Sequence, residues 1–416
     1  AVFLFLVDTI ADRPSPYIGI FYMTIPAVLI FGLILVPVGG LFERRKRRKL
    51  ASSEIPAYPK LDLNNPAHRR AAATFIVVTV VIMLMSGVGS YKAYESMDTT
   101  AFCGQLCHVP MHPELTAFKK SHHSQIRCTD CHVGSNPASY VKAKFAGTHR
   151  AYAVIFNKFD RPIPSPLHKL EPVTQTCEEC HSPNQFFGTQ MKVFSHFGYD
   201  DKNTPRQIRM LIYTGGGNPP GPATGIHWHM SISNKITYVS TDGNNQTIPW
   251  VRLEDGQGHV TEYTAQDSKL SQQDLDKATK HLMNCMDCHN RVGHKFDSPD
   301  HAVDQALLDG ELDASLPFIK QQAVQALVKS FPSEADAVNG IASDIEGYYR
   351  SNYPDVSSGR QDKVKQAIQT VQNIYRDTVF PSMKADWKTY PDNVGHFYSL
   401  GCFRCHDGQH VAKDGT

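Results

Sequence analysis

The sequence predicts N-terminal transmembrane helices leading into an outer-face domain that is mainly α and irregular, with a small antiparallel β meander and a helical insertion. Three observations predict it. Two long uncharged apolar runs lie within the first 97 residues and flank a basic stretch. All ten cysteines fall into five Cys-x-x-Cys-His or Cys-x-x-x-Cys-His motifs. A cysteine-free, helix-patterned stretch separates the fourth motif from the fifth.

Residues 1–97 form the expected membrane anchor. Ala1–Val7 is apolar and stops at Asp8, too short to cross a bilayer alone. It reads either as the last turns of a truncated span or as a signal-peptide remnant. After a short loop with Pro14 and Pro16, no charged residue occurs from Tyr17 to Phe42. Roughly twenty such residues cross about 30 Å of hydrocarbon, and kinks at Pro26 and Pro37 are tolerated there. Arg44-Arg45-Lys46-Arg47-Arg48-Lys49 follows at once and marks the cytoplasmic side of the loop 43–70. It also suits anionic lipid head groups. A second uncharged run from Ala71 gives a span over 71–93, so the chain beyond Lys92 lies on the outer face. Lys and Arg total 42 against 40 Asp and Glu, so bulk charge implies no nucleic-acid partner.

The motifs are Cys103-x-x-x-Cys107-His108, Cys128-x-x-Cys131-His132, Cys177-x-x-Cys180-His181, Cys285-x-x-Cys288-His289 and Cys402-x-x-Cys405-His406. This spacing is the attachment signature of c-type haem. The two thiols add across porphyrin vinyl groups and the histidine becomes an axial iron ligand. A zinc site has no reason to place histidine after every pair, and a disulfide framework would not space its cysteines this way. Five covalent haem c groups are expected. Haem attachment occurs outside the bacterial cytoplasm, which agrees with the orientation set by the basic run.

Along 98–204, three motifs occur with little periodicity, as expected where porphyrins fill the core. Within 205–299, a Gly/Pro loop from Gly215 to Gly221 precedes the meander: Ile236–Thr241, Thr247–Arg252 and His259–Thr264, joined at Asp242-Gly243 and Asp255-Gly256. Pro249 suggests an edge or a bulge. Ser271 opens a helix expected to run into the fourth motif. Residues 300–394 carry helical patterns at Ala302–Leu308, Leu316–Phe331, Ser333–Tyr349 and Gln361–Val379. The fifth motif closes the chain in 395–416.

Each iron has a second face to fill, normally with His or Met. The chain has 20 histidines, five of them in the motifs. His123, His294 and His396 are the leading candidates, followed by His168 and His229. His227 and His229 flank Trp228; strand-like alternation puts both on one face, where only one can serve. His112, His122, His149, His227, His281, His301 and His410 share the remainder. Met111, between Pro110 and Pro113, could ligate the first iron or simply pack.

Two stretches resemble the NapC/NirT membrane-anchored multihaem cytochromes. They are Phe102–Glu114 (F-C-x-x-x-C-H-x-x-M-x-P-E) and Ser121–His132 (S-x-H-x-x-x-x-C-x-x-C-H). The resemblance is clearest over 98–182. Later stretches, such as Ile226-His-Trp-His229 and Ile248-Pro-Trp-Val-Arg252, look like a longer branch. The resemblance implies a protein of the bacterial inner membrane, with its haem domain periplasmic. It implies oxidation of membrane quinol, menaquinol or ubiquinol, beside the first haem, and electron delivery to a periplasmic cytochrome or reductase. A site of that kind needs proton acceptors, and Glu114, Asp98, Lys92 and Lys119 are the nearest ionisable groups. Typical members have one anchor, four haems and a two-residue gap in the first motif; this sequence departs on all three. The added span and helical region suit an alternative, an electron-conduit subunit beside other membrane subunits. Catalysis at an open iron, as on nitrite, is disfavoured by the surplus of histidines.

The expected intact mass is that of the polypeptide plus five haem c groups. Pyridine-haemochrome titration of a Cys402→Ser/Cys405→Ser variant is expected to find four.

Overall fold

A computed structural model describes residues 18–48, 62–134, 136–166, 172–181, 188–215, 224–231 and 233–415. The expected short span Ala1–Val7, the candidate ligand His168 and most of the Gly215–Gly221 loop lie outside the described residues. The chain divides into two units, Ala1–His108 and Val109–Thr416.

The first unit holds two long helices, α1 (Ile18–Arg47) and α2 (Pro66–Met97), which pack on one another. Arg44, Arg45, Lys46 and Arg47 fill the last turn of α1, at the negative end of its dipole. Asn65 caps α2 by accepting from the Ala67 N–H at 2.9 Å. Pro66 follows at the first helical position, where its missing N–H costs nothing. An 18-residue window of α2 has a mean hydropathy of 2.4 and none of it is buried. Among the described residues α2 is the one helix that meets the length and apolarity needed to cross a membrane. Large apolar side chains such as Phe42, Phe75 and Leu84 stand bare, a surface suited to hydrocarbon rather than water.

The first motif follows in a π-helical turn, Phe102–Leu106. A π turn closes each hydrogen-bonded ring one residue wider than an α turn. It therefore takes up the extra residue between Cys103 and Cys107.

The second unit begins with α3 (His108–Lys120, its first residue on the boundary) and continues with α4 (Pro137–Ile155). Strands β1 (Thr189–Phe197) and β2 (Pro205–Tyr213) then pair antiparallel along their whole length, from Thr189 opposite Tyr213 to Phe197 opposite Pro205. The sequence reading did not anticipate this hairpin, and the boundary expected at 204/205 cuts through it. Both its faces are largely exposed, so no apolar alternation betrays it.

A five-stranded antiparallel sheet follows. Its members are β3 (Lys235–Val239), β4 (Trp250–Glu254), β5 (Val260–Ala265), β6 (His281–Leu282) and β7 (His410–Ala412), in the order β6-β3-β4-β5-β7. Pro249 stays outside β4 and lends only its carbonyl, which accepts from the Ala265 N–H at 3.0 Å. The helix opened by Ser271 ends at Lys277, and β6 intervenes before the fourth motif. The two outer strands of the sheet thus adjoin the fourth and fifth motifs.

Four helices, α5 (Pro299–Leu308), α6 (Ile319–Leu327), α7 (Glu334–Asn352) and α8 (Gln361–Thr378), close on a core of their own. Val364, Ala367, Val371 and Tyr375 recur at helical spacing along one face of α8 and meet Ile341, Ile345 and Tyr349 of α7. Each fully buried branched side chain contributes about 1.5–3 kcal/mol. Ser298 and Ser333 cap α5 and α7. The helix expected from Leu316 starts only at Ile319, because Phe318 is left-handed (φ 57°).

The tip of the hairpin is pinned to these helices. Asn203, itself left-handed and fully buried, donates to the Ala314 and Leu316 carbonyls at 2.9 and 2.8 Å. It also accepts from the Lys320 N–H at 3.0 Å. Beside it Asp304 accepts from the Phe197 N–H at 2.9 Å and from the Lys320 ammonium at 2.6 Å. The Lys320 and Asp304 side chains are only 2% and 3% exposed. His196, Asp300 and Asp304 are spaced as a metal site would be, but the Lys320 ammonium already sits 3.0 Å from Asp300 and answers their charge.

Lys320→Ala leaves Asp304 buried without its counter-ion, and a loss of about 3–5 kcal/mol is expected. Urea or thermal unfolding of the intact protein measures it.

Candidate functional site

None of the ten cysteines, all described, is in a disulfide.

The histidines that end four of the motifs are each faced by a second imidazole. His132 and His294 have ring centres 5.9 Å apart, and His181 and His123 have theirs 6.0 Å apart. His289 and His227 are separated by 6.4 Å, His406 and His229 by 5.7 Å. A metal about 2 Å from a nitrogen of each ring sets two imidazole centres roughly 6 Å apart. Direct imidazole stacking would bring them closer. The observed separations are those of rings with room for one iron between them.

Protonation agrees with this. Burial pushes His132 down to about 4, with His294 and Arg150 adding to it and Glu114 opposing. Burial likewise pushes His294 down to about 4, with Arg291 adding and the Glu114 carbonyl opposing. Burial is also the main cause that lowers His227, His289 and His406. Neutral imidazole is the form that binds iron.

Neighbouring motifs lie side by side. Burial pushes the Cys131 thiol up, and nearby Cys177 and Cys180 add to it. Cys285 is raised by burial and then by Cys177; Cys405 is raised by burial to about 11, with Cys288 among the lesser causes. The second, third, fourth and fifth motifs thus form a continuous series. The last two are cross-braced by buried Arg404, which donates to the Asp287 carbonyl at 2.6 Å and the Asn245 carbonyl at 2.8 Å. Tyr238 reaches from β3 to the Asp287 carboxylate at 2.5 Å.

Several observations fit haem c to these residues. From 109 to 231, the buried apolar side chains among the described residues are Pro110, Pro113, Ala117 and Phe118. That is too few to hold two motif segments by side-chain packing. Buried His123 Nδ1 and Thr129 Oγ have no partner among the described residues, as polar atoms awaiting a bound group would.

Candidate ligands from the sequence are distributed as follows. His123, His294 and His229 each face a motif histidine. His227 does too, although only one of the His227/His229 pair was expected to serve. Both lie on the 3₁₀ turn Ile226–Met230; at three residues per turn, positions two apart point in different directions, so each reaches a different motif. The Gly225 backbone (φ 74°) starts that turn, a signal available in the glycine itself. His396 is exposed, stacks beside Phe397 and meets Phe403 at 4.5 Å. Among the described residues it faces no motif histidine. His281 stacks on Tyr238, and both ring nitrogens of His410 are taken by Asp407 and the Ile248 carbonyl. Met111 is half-buried on α3, and the His108 side chain lies outside those described.

The ionisable groups expected near quinol fall in both units. Lys92 pairs with Glu95 at 2.9 Å, and buried Asp98 ends α2 just before the first motif. In the second unit Lys119 is exposed, whereas Glu114 is buried and meets Arg291 at 3.4 Å and His294 Nδ1 at 3.2 Å.

Residues 65–171 match the NapC/NirT cytochrome c family, N-terminal region. The chain is 40% identical to cytochrome c-type protein ImcH of Geobacter sulfurreducens over 410 residues, 98% of this chain and 80% of the relative. It is 27% identical to cytochrome c-type protein NapC of Haemophilus influenzae over 143 residues, 30% of this chain and 70% of that one. No solved structure matches.

His227→Ala and His229→Ala are each expected to convert one low-spin haem to high spin, a different one in each variant. His396→Ala is expected to convert none. Magnetic circular dichroism of the oxidised protein reads the difference.

Proposed function

The chain belongs to the NapC/NirT cytochrome c family, and from that membership we propose a membrane-anchored pentahaem cytochrome that carries electrons from membrane quinol to a periplasmic acceptor. Covalently bound haem c comes with the family, and the five motifs of this chain supply five attachment points. Bound haem c supplies reversible one-electron chemistry; the protein sets its ligands, spacing and surroundings.

The observation that carries this reading is the series of facing imidazoles. His132/His294, His181/His123, His289/His227 and His406/His229 are the proposed axial pairs of the second to fifth haems. Haems held by two such histidines each would supply electron transfer rather than a site for transforming a substrate. The first haem would be held by Cys103, Cys107 and His108.

Direction follows from the anchor. Both α1 and α2 are proposed to span the membrane, with the Arg44–Lys49 run on the cytoplasmic side. The motifs after α2 then emerge on the periplasmic face. Quinol oxidation releases two protons with its two electrons, so a proton acceptor beside the first motif is required. Asp98, buried at the end of α2, is the proposed acceptor, with Lys92 one helical turn and a half before it. Glu114 is engaged by Arg291 and His294, and Lys119 is left to solvent.

A second reading is a conduit subunit of a larger respiratory complex with no quinol site of its own. It is favoured by the β1–β2 hairpin, which exposes Met191, Val193, Ile208, Met210 and Leu211.

The isolated protein in lipid vesicles should become reduced when menaquinol or ubiquinol analogues are added, followed at the haem α-band. Asp98→Asn should slow that reduction by about tenfold or more with haem content unchanged. A fully loaded protein that no quinol reduces would leave the conduit reading standing.

A further inference from the structure

The carboxylate of Glu114 is held between two groups brought from elsewhere in the chain. His294 Nδ1 lies 3.1 Å from the Glu114 carbonyl oxygen and 3.2 Å from its Oε2. With Nδ1 engaged there, Nε2 is the nitrogen left for the space in front of His132, whose ring centre is 5.9 Å away. Arg291 Nη2 lies 3.4 Å from the same Oε2 and also donates to the His294 carbonyl. The guanidinium is itself fixed against the rings of Phe296 and Tyr390, at 5.1 and 4.4 Å. Glu114 and Arg291 are 14% and 8% exposed, so water screens their charges little.

Two of the other proposed distal imidazoles are treated differently. His229 Nδ1 faces the Ile226 carbonyl at 2.8 Å. His123 Nδ1 is buried with no partner among the described residues. A carbonyl or carboxylate oxygen that accepts the Nδ1–H of a ligating histidine orients the ring and makes it a stronger donor, and a negative charge beside that nitrogen acts in the same sense. A stronger donor favours the ferric state and lowers the potential.

Resting on the axial pairing proposed above, we propose that Glu114 is a positioning residue for the second haem. Its carbonyl, which accepts from Nδ1, fixes the His294 imidazole, and its carboxylate, 3.2 Å from the same nitrogen, holds that haem at a lower potential than a neutral side chain would. Arg291 supplies the counter-charge that lets the carboxylate stay buried. The series therefore has an uneven profile, set by what stands behind each distal histidine. A purely structural role for Glu114 would cost stability and leave potentials alone.

Glu114→Gln in the full, haem-loaded chain separates these. Spectroelectrochemical titration is expected to show one low-spin haem moved to higher potential, the rest unmoved, and the spin state and haem count unchanged. Glu114→Asp withdraws the carboxylate on a shorter arm; it should move the same haem in the same direction by less, and it serves if the Gln variant does not assemble. Wild-type potentials in a fully loaded variant would overturn the proposal. His294→Ala tests the premise separately: one haem is expected to turn high-spin. If none does, the axial assignment fails, whatever Glu114 does.

Discussion

Two imidazoles held about one iron's width apart are the constraint on which this molecule depends. Each facing pair joins segments distant in sequence: His294 lies beyond the fourth motif yet faces the second, and His123 precedes the second motif yet faces the third. The 3₁₀ turn at His227-Trp228-His229 reaches the fourth and fifth motifs together. Such cross-connections do for the motif region what apolar side chains do elsewhere. They also explain why so long a stretch is built with few buried side chains.

Around this region stand parts that hold themselves. The four-helix cluster is packed by ordinary apolar burial, and its grip on the hairpin comes from Asn203, Asp304 and Lys320. A second, smaller cluster of Ala117, Phe296, Phe380, Met383 and Ala385 ties α3 to the segment that bears Arg291 and His294. Glu114, three residues before Ala117, stands beside His294. The small sheet secures the last two motifs from opposite edges, β6 before one and β7 after the other. Packed supports thus surround facing histidines whose own segments are irregular.

Whatever is encoded locally was legible in the sequence. The motifs announce their chemistry within six residues or fewer, and α8 shows its buried face through Val364, Ala367, Val371 and Tyr375. Family resemblance at Phe102–Glu114 and Ser121–His132 fell within the stretch that matches the NapC/NirT family. What was not legible is long-range or breaks a period. His396 looked as suitable as His294 because both sit near a motif, yet only tertiary packing separates them. His227 was discounted under strand alternation, whereas a 3₁₀ turn governs there. The β1–β2 hairpin, exposed on both faces, carries no binary pattern to detect. Glu114 meets Arg291, far along the chain, and no spacing rule links the two.

Low-temperature electron paramagnetic resonance of the fully oxidised wild-type protein, with spins counted against total haem, tests the facing-imidazole arrangement most directly. Four low-spin bis-histidine signals per chain are the expected result, with the first haem distinct from them. Fewer than four, or a substantial high-spin component arising from the second to fifth motifs, would contradict it.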